Sequence, residues 1–194
     1  MADAVFAYGS LAGPSSAALT LGRPVEIAAL ASLDGWRRRW TLARDNLACE
    51  KTFARADNGS LPPWCAGLTL ERAGAGEAAP NGALIEVDEG DLARLDAREL
   101  RYDRTDVSAA VRIDGDAGFD RVLAYVAKPA HHHPRLPAGA VIISSYLRAV
   151  EAAFAELGYD QLELFRRTTG DHPAPVVEAV LVRDRIPVGN PRDW

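Results

Sequence analysis

The apolar residues of this chain keep two different periods, and the switch comes at Asp88. Before it they gather in short runs, each stopped by glycine, proline, asparagine or aspartate, as in strands bounded by turns. After it Leu92, Leu95 and Glu99 recur at i, i+3 and i+7, which is one face of a helix. The regular strand–helix alternation of a doubly wound sheet is missing, and the strands include hairpin signals. The pattern predicts an α+β domain, a small mixed β-barrel flanked by a few helices, with about seven strands and two or three helices.

Residues 4–7 form the first strand, and Tyr8-Gly9-Ser10-Leu11-Ala12-Gly13-Pro14 stops it. Residues 27–33 and 36–42 read as a hairpin turning through Asp34-Gly35. Residues 66–70 and 82–87 are further strands, joined by an exposed Gly- and Ala-rich connection over 71–81. Asp88 is placed to cap the following helix, with Glu89 and Asp91 in its first turn. Residues 105–113 and 122–128 read as strands, and 129–139, with three prolines and a histidine triplet, as a loop. Ser144 or Ser145 caps the longest helix, whose buried stripe is Leu147, Val150, Phe154 and Leu157 before Gly158 stops it. A short helix over 160–167 and a strand over 176–182 follow, and 183–194 runs over the surface. We expect one domain over residues 1–165 and a C-terminal extension over 166–194, packed on it or trailing from it.

Composition narrows the function classes. The chain has 194 residues, 48% of them hydrophobic, and a net charge of −5, which argues against a nucleic-acid partner. Arg37-Arg38-Arg39 between Trp36 and Trp40 is a basic, aromatic-flanked triplet, read as a strand whose arginine stems lie over its solvent face; base stacking on it is the weaker reading. Cys49 and Cys65 make neither a disulfide framework nor a metal pattern and read as small buried side chains. No signal-peptide pattern and no membrane-spanning run is visible, so the expected location is cytoplasmic, with no membrane partner. Oligomeric state is not written in the sequence.

Among residues that could carry chemistry, Glu99 stands out, because it occupies the apolar face defined by Leu92 and Leu95. A desolvated carboxylate there suits proton transfer. The alternative is a helix-end glutamate that turns to water or pairs with Arg101 or Arg104. Ser10 lacks a nucleophile elbow and an evident histidine, so hydrogen bonding is its expected role. Gly9 and Gly13 let the 8–13 backbone approach a ligand closely. His131-His132-His133 point to alternate sides of an extended chain, so no metal site is expected of them. Nucleotide-binding and zinc-protease motifs are absent.

Ala7-Tyr8-Gly9-Ser10-Leu11 together with Leu95-Asp96 and Glu99 resembles the gamma-glutamylcyclotransferase-like superfamily, with its ChaC-type and AIG2-like branches. Gly35-Trp36-Arg37-Arg38, Val122-Leu123-Ala124-Tyr125-Val126 and Ser144-Ser145-Tyr146-Leu147 resemble further segments of that family in the same order. The likeness runs over residues 4–158. Leu11 stands where some members have asparagine, and Leu100 where many have a small residue, which bears on loop shape and substrate. The resemblance implies an enzyme of glutathione or gamma-glutamyl metabolism that cyclises a gamma-glutamyl amide to 5-oxoproline and releases an amine. It implies no cofactor, since both reacting groups lie in one small-molecule substrate. Glu99 would be the general acid/base, the loop of Tyr8, Gly9, Ser10 and Leu11 would cradle the glutamyl group, and Tyr102, Tyr125 and Tyr146 would line the pocket. The alternative is a non-catalytic member of the same fold that binds a small molecule or a protein. A metal-dependent hydrolase built on the histidines is weaker.

Overall fold

Strand β1 (Asp3–Ala7) is the one around which the fold is organised. In the computed structural model, which describes residues 2–191, it pairs antiparallel with β6 (Asn81–Val87) and parallel with β9 (Arg121–Ala127). A strand enclosed on both edges and both faces has no use for a polar side. This accounts for the unbroken run Ala4-Val5-Phe6-Ala7, all buried. β2 (Ala29–Leu33) and β8 (Val111–Ile113) extend the sheet beyond β6, and β7 (Tyr102–Asp106) extends it beyond β9, giving the order β7-β9-β1-β6-β2-β8. A four-stranded sheet holds β11 (Val176–Val177), β10 (Ala140–Ile143), β5 (Trp64–Arg72) and β3 (Trp36–Asp45) in that order. β4 (Lys51–Arg55) and β12 (Ala179–Asp184) form a separate antiparallel ribbon. The large sheet curls as half a barrel. It meets the smaller one where Tyr102 donates to the Leu68 carbonyl at 2.8 Å and the Ala127 N–H donates to Thr69 at 2.9 Å.

Four helices complete the described residues: α1 (Pro14–Leu21), α2 (Glu89–Arg98), α3 (Ser144–Leu157) and α4 (Tyr159–Thr169). None is long and apolar enough to cross a membrane. α2 begins with the expected Asp88 cap, completed as a capping box: Asp88 accepts from the Asp91 N–H at 2.8 Å, and Asp91 accepts from the Asp88 N–H at 3.3 Å. α3 is not capped by either serine. Its N-cap is Ile143, the last residue of β10, and Ser144 is already helical. α1 carries no amphipathic stripe, but Pro14 at its first position and Gly22 at its end, with φ of 68°, are the local signals for it.

Three sequence expectations are corrected. Asp34-Gly35 does turn the chain, but β2 and β3 do not pair. β2 joins β6 and β8, β3 joins β5, and the turn is a corner between two sheets. Residues 105–113 are not one strand. The chain breaks at Val107 and passes through a short helical turn over Ser108–Ala110, so β7 and β8 end up at opposite edges of the large sheet. Finally, Arg38 does not face solvent. Alternation along β3 puts it on the inner face with Trp36 and Trp40, and all three are buried. The tryptophans are therefore core residues rather than a stacking surface. Arg37 and Arg39, on the other face, pair with Glu71 and Glu77.

Glu71, at the end of β5, ties three segments together. It accepts from Thr41 on β3, lies 2.8 Å from His132 Nε2 of the histidine triplet, and pairs with Arg37 at 2.9 Å. Burial opposes its charge, but the Thr41, His132 and Arg37 contacts outweigh burial and hold the carboxyl below its usual 4.5. Its contribution is therefore full above 4.5 and is lost as pH falls through the lower, folded value. Glu71→Gln will cost roughly 1–3 kcal/mol at neutral pH. The gap to the parent will narrow as pH falls below 4.5, as urea melts at neutral and acid pH will record. Among the described residues no cluster of metal-ligating side chains exists, around the histidines or elsewhere.

Candidate functional site

β1 delivers the chain into Tyr8 and Gly9, and Ser10–Ala12 then form a single turn of 3-10 helix. That turn lies against α3, and α2 ends beside it at Glu99. The result is a recess whose walls include Tyr8, Gly9, Ser10, Leu11, Glu99, Tyr102, Tyr125 and Tyr146. Glu99, the 8–11 loop and the three tyrosines expected to line the pocket thus border one hollow, while Gly13 does not.

Glu99 is the C-cap of α2, with φ −92° and ψ 46°, so its side chain leaves the helical path. It is 16% exposed and makes an ion pair with Arg98 at 3.0 Å, rather than with Arg101 or Arg104. Those two arginines pair with Glu50 and Asp96 instead. Arg98 is itself nearly buried and reaches two more groups, the Thr20 hydroxyl of α1 and Ser10 Oγ at 3.3 Å. One guanidinium therefore links α1, the 3-10 turn and the carboxylate. Sequence reading missed Arg98 because adjacent residues in a helix do not face each other. They meet here only because the helix has ended.

The tyrosines divide by what their hydroxyls already do. Tyr8 donates to the Tyr125 carbonyl and Tyr102 to the Leu68 carbonyl, so each offers the recess an oxygen lone pair rather than a proton. Tyr125 donates to Asp96 at 2.8 Å, and its ring lines the hollow. Tyr146 accepts from the Leu68 backbone, and among the described residues no acceptor takes its proton. Burial first, and the Glu99 charge second, push the Tyr146 phenol up to about 12. The same two causes raise Tyr8, and burial also raises Tyr102. These groups are neutral hydrogen-bonding phenols at any ordinary pH. Trp40 packs edge-on against the Tyr146 ring at 5.8 Å and fixes its tilt.

The two glycines of the loop serve different ends. A Cβ on Gly9 would meet nothing nearer than the Tyr146 hydroxyl at 3.9 Å, so its backbone faces open space in the recess. A Cβ on Gly13 would lie 2.8 Å from the Ala153 Cα, so Gly13 is needed for close packing of the loop on α3, not for a ligand.

Behind the loop sits Arg38, entirely buried. Its guanidinium donates to the carbonyls of Tyr8 at 3.1 Å, Asn81 at 2.8 Å and Phe165 at 3.3 Å, and to Asn81 Oδ1, Thr168 and Thr169. The Phe154 and Phe165 rings cover its faces at 5.0 and 4.3 Å. Burial pulls it down to about 9, which still leaves it charged at pH 7. It clamps the end of β1 to α4, and the parity of WRRRW was the signal for its inward position.

A family model described as "Gamma-glutamyl cyclotransferase, AIG2-like" matches residues 5–140. Solved structures share the fold. YkqA from Bacillus subtilis is 19% identical with a TM-score of 0.58, covering 89% of this chain; the chain spans 56% of the length of that protein. A structure described as gamma-glutamyl cyclotransferase is 14% identical with a TM-score of 0.57, covering 90% of this chain and 93% of its own. The uncharacterized protein loc79017 from Homo sapiens is 15% identical with a TM-score of 0.57 and the same coverage. No curated protein matches the chain in sequence.

Proposed function

Because the chain belongs to the AIG2-like gamma-glutamyl cyclotransferase family, we propose that it cyclises a gamma-glutamyl amide to 5-oxoproline, with Glu99 as the general acid/base. The observation that carries this reading is a shielded carboxylate, 16% exposed, bordering the same recess as the 8–11 loop.

The chemistry needs little beyond shape and one proton carrier. The α-nitrogen of the glutamyl group attacks its own side-chain carbonyl carbon, forming the ring C–N bond. The carbonyl oxygen takes the electron pair and returns it as the amide C–N bond breaks. An ammonium has no lone pair, so the nitrogen must first lose a proton, and the departing nitrogen must gain one. A carboxylate within reach of both performs the two transfers in turn. The remaining task is to hold a flexible chain folded, which converts the search for a ring-closing geometry into a binding problem. Gly9 offers an unobstructed backbone, and the first N–H groups of the Ser10–Ala12 turn have no partner within that turn, so they can meet glutamyl oxygens. Tyr146 supplies a phenolic proton, while Tyr8 and Tyr102 supply lone pairs suited to an ammonium. Arg98 holds the carboxylate against the loop. Water takes no part in the balance: one amide bond is exchanged for another.

The test is release of 5-oxoproline from gamma-glutamyl dipeptides, gamma-glutamyl amines and glutathione by the purified protein. Formation from at least one of them is expected. Binding of these compounds without any turnover would favour a non-catalytic role for the same recess.

A further inference from the structure

Beyond Glu99 the recess opens into a second hollow of about 470 Å³, sharing Ser10, Glu99, Tyr102 and Tyr146 as common walls. Its apolar lining comes from Leu42, Phe53, Ile143, Leu181 and Ile186. The last two lie outside the family match, on and just after β12, so this wall belongs to the C-terminal part of this chain. The polar lining is cationic: Arg44, Lys51, Arg98 and Arg101, against Glu99 as the one acidic wall residue among those described.

These cations are not equivalent. Arg98 is engaged with Glu99, Arg101 is held two-pronged by Glu50 at 2.8 and 3.0 Å, and Lys51 pairs with Asp184 at 3.6 Å. Arg44 has no carboxylate partner among the described residues. One nitrogen, Nη1, donates to the Lys51 carbonyl at 2.8 Å and to Cys49 Sγ at 3.2 Å, and the guanidinium rests 5.2 Å over the Phe53 ring. The Cys65 thiol is a further hydrogen-bonding neighbour of Arg44, so the groups that hold it among the described residues are all neutral, and its plane is fixed by the ring and the carbonyl. A half-buried, oriented guanidinium without a counter-charge, beside an apolar wall, is suited to a carboxylate carried next to a hydrocarbon side chain.

Resting on the proposed cyclisation, we infer that this hollow receives the departing half of the substrate and that Arg44 selects a departing half with a free carboxylate and an apolar side chain. The preferred substrates are then gamma-glutamyl derivatives of large apolar amino acids, in preference to gamma-glutamyl amines.

Three compounds of nearly equal size separate the contributions: gamma-glutamyl-leucine, gamma-glutamyl-leucinamide, and the gamma-glutamyl amide of 3-methylbutylamine. For the parent protein, kcat/KM from 5-oxoproline release should favour the acid over the other two by roughly tenfold or more. In Arg44→Gln that ratio should fall toward one, and in Arg44→Lys it should lie between. A ratio within one variant is independent of the fraction of protein folded, so loss of the Lys51 carbonyl contact does not confound it. Calorimetric binding of the same compounds to Glu99→Gln, alone and combined with Arg44→Gln, reads the preference without turnover. If 5-oxoproline forms but all three compounds serve equally, or the amine is preferred, or Arg44→Gln leaves the ratio intact, the inference is overturned and the cyclisation stands. If no 5-oxoproline forms yet binding favours the acid through Arg44, the cyclisation falls and the acid-selective hollow stands. Absence of both turnover and binding overturns both.

Discussion

Glu99→Gln will lower 5-oxoproline release by roughly 10²–10⁴-fold and leave the fold intact. Glutamine keeps the size of the side chain and can still accept a hydrogen bond from Arg98, so the link between α2, the 3-10 turn and α1 survives. What it loses, in the proposed mechanism, is the capacity to take a proton from the glutamyl nitrogen and hand it on. The loss should fall on kcat, with KM nearly unchanged, because the loop and the tyrosines that border the recess remain. A circular-dichroism melt beside the kinetic measurement separates this from unfolding. Full activity in the variant would remove Glu99 from the mechanism. The Tyr146 phenol, pushed up to about 12, gives up no proton across the usual assay range, so an alkaline fall in activity below pH 10 would have to come from another group.

Arg38→Met will be the most destabilising single change outside the recess, by about 3 kcal/mol, lowering the thermal midpoint by roughly 6–12 °C. Two effects oppose each other. Removing the guanidinium relieves its own desolvation, the same burial that pulls its pKa down to about 9. It also takes the guanidinium donor from the buried carbonyls of Tyr8 and Asn81 and from Asn81 Oδ1, each about 1–3 kcal/mol when left unpaired, while the Phe165 carbonyl keeps the Thr169 hydroxyl at 2.6 Å. Several orphans outweigh one relieved charge. Methionine fills the space between Phe154 and Phe165, so the effect reads polar satisfaction more than cavity formation. Because Tyr8 opens the loop proposed to hold the glutamyl group, KM should rise in the surviving folded protein, which a purely peripheral core residue would not cause.

What the sequence made legible was local. The continuous run Ala4–Ala7 and its polar ending read correctly because burial of β1 on all sides leaves no alternation to misread. α2 was legible through Asp88, whose capping box uses residues three apart. The pairing of distant segments was not. Asp34-Gly35 has hairpin chemistry, yet nothing in those two residues says that β2 prefers β6 to β3. Residues 105–113 hold a strand-like composition throughout, and only the sheet as a whole sends their two halves to opposite edges. β10 and β4 escaped notice because each is short: β10, though Gly139 precedes it, runs straight into α3 after four residues, and β4 is five residues without a Gly or Pro directly at either end. At the site, the residue types were legible, while the Arg98 pairing depended on where α2 stops.

The position of β1 has a consequence for how the chain is made. It is made before every other strand of the large sheet, and it lies in the middle of that sheet. Its antiparallel neighbour is not complete until Val87 has been added, and its parallel neighbour not until Ala127. Arg38, which holds the Tyr8 carbonyl, waits longer still, for Thr168 and Thr169. The nascent β1, an apolar segment with unpaired edges, therefore stays exposed while those later residues are added, a period in which such segments are open to aggregation and to capture by chaperones. The first residues of the recess are thus translated well before the residues that secure its geometry.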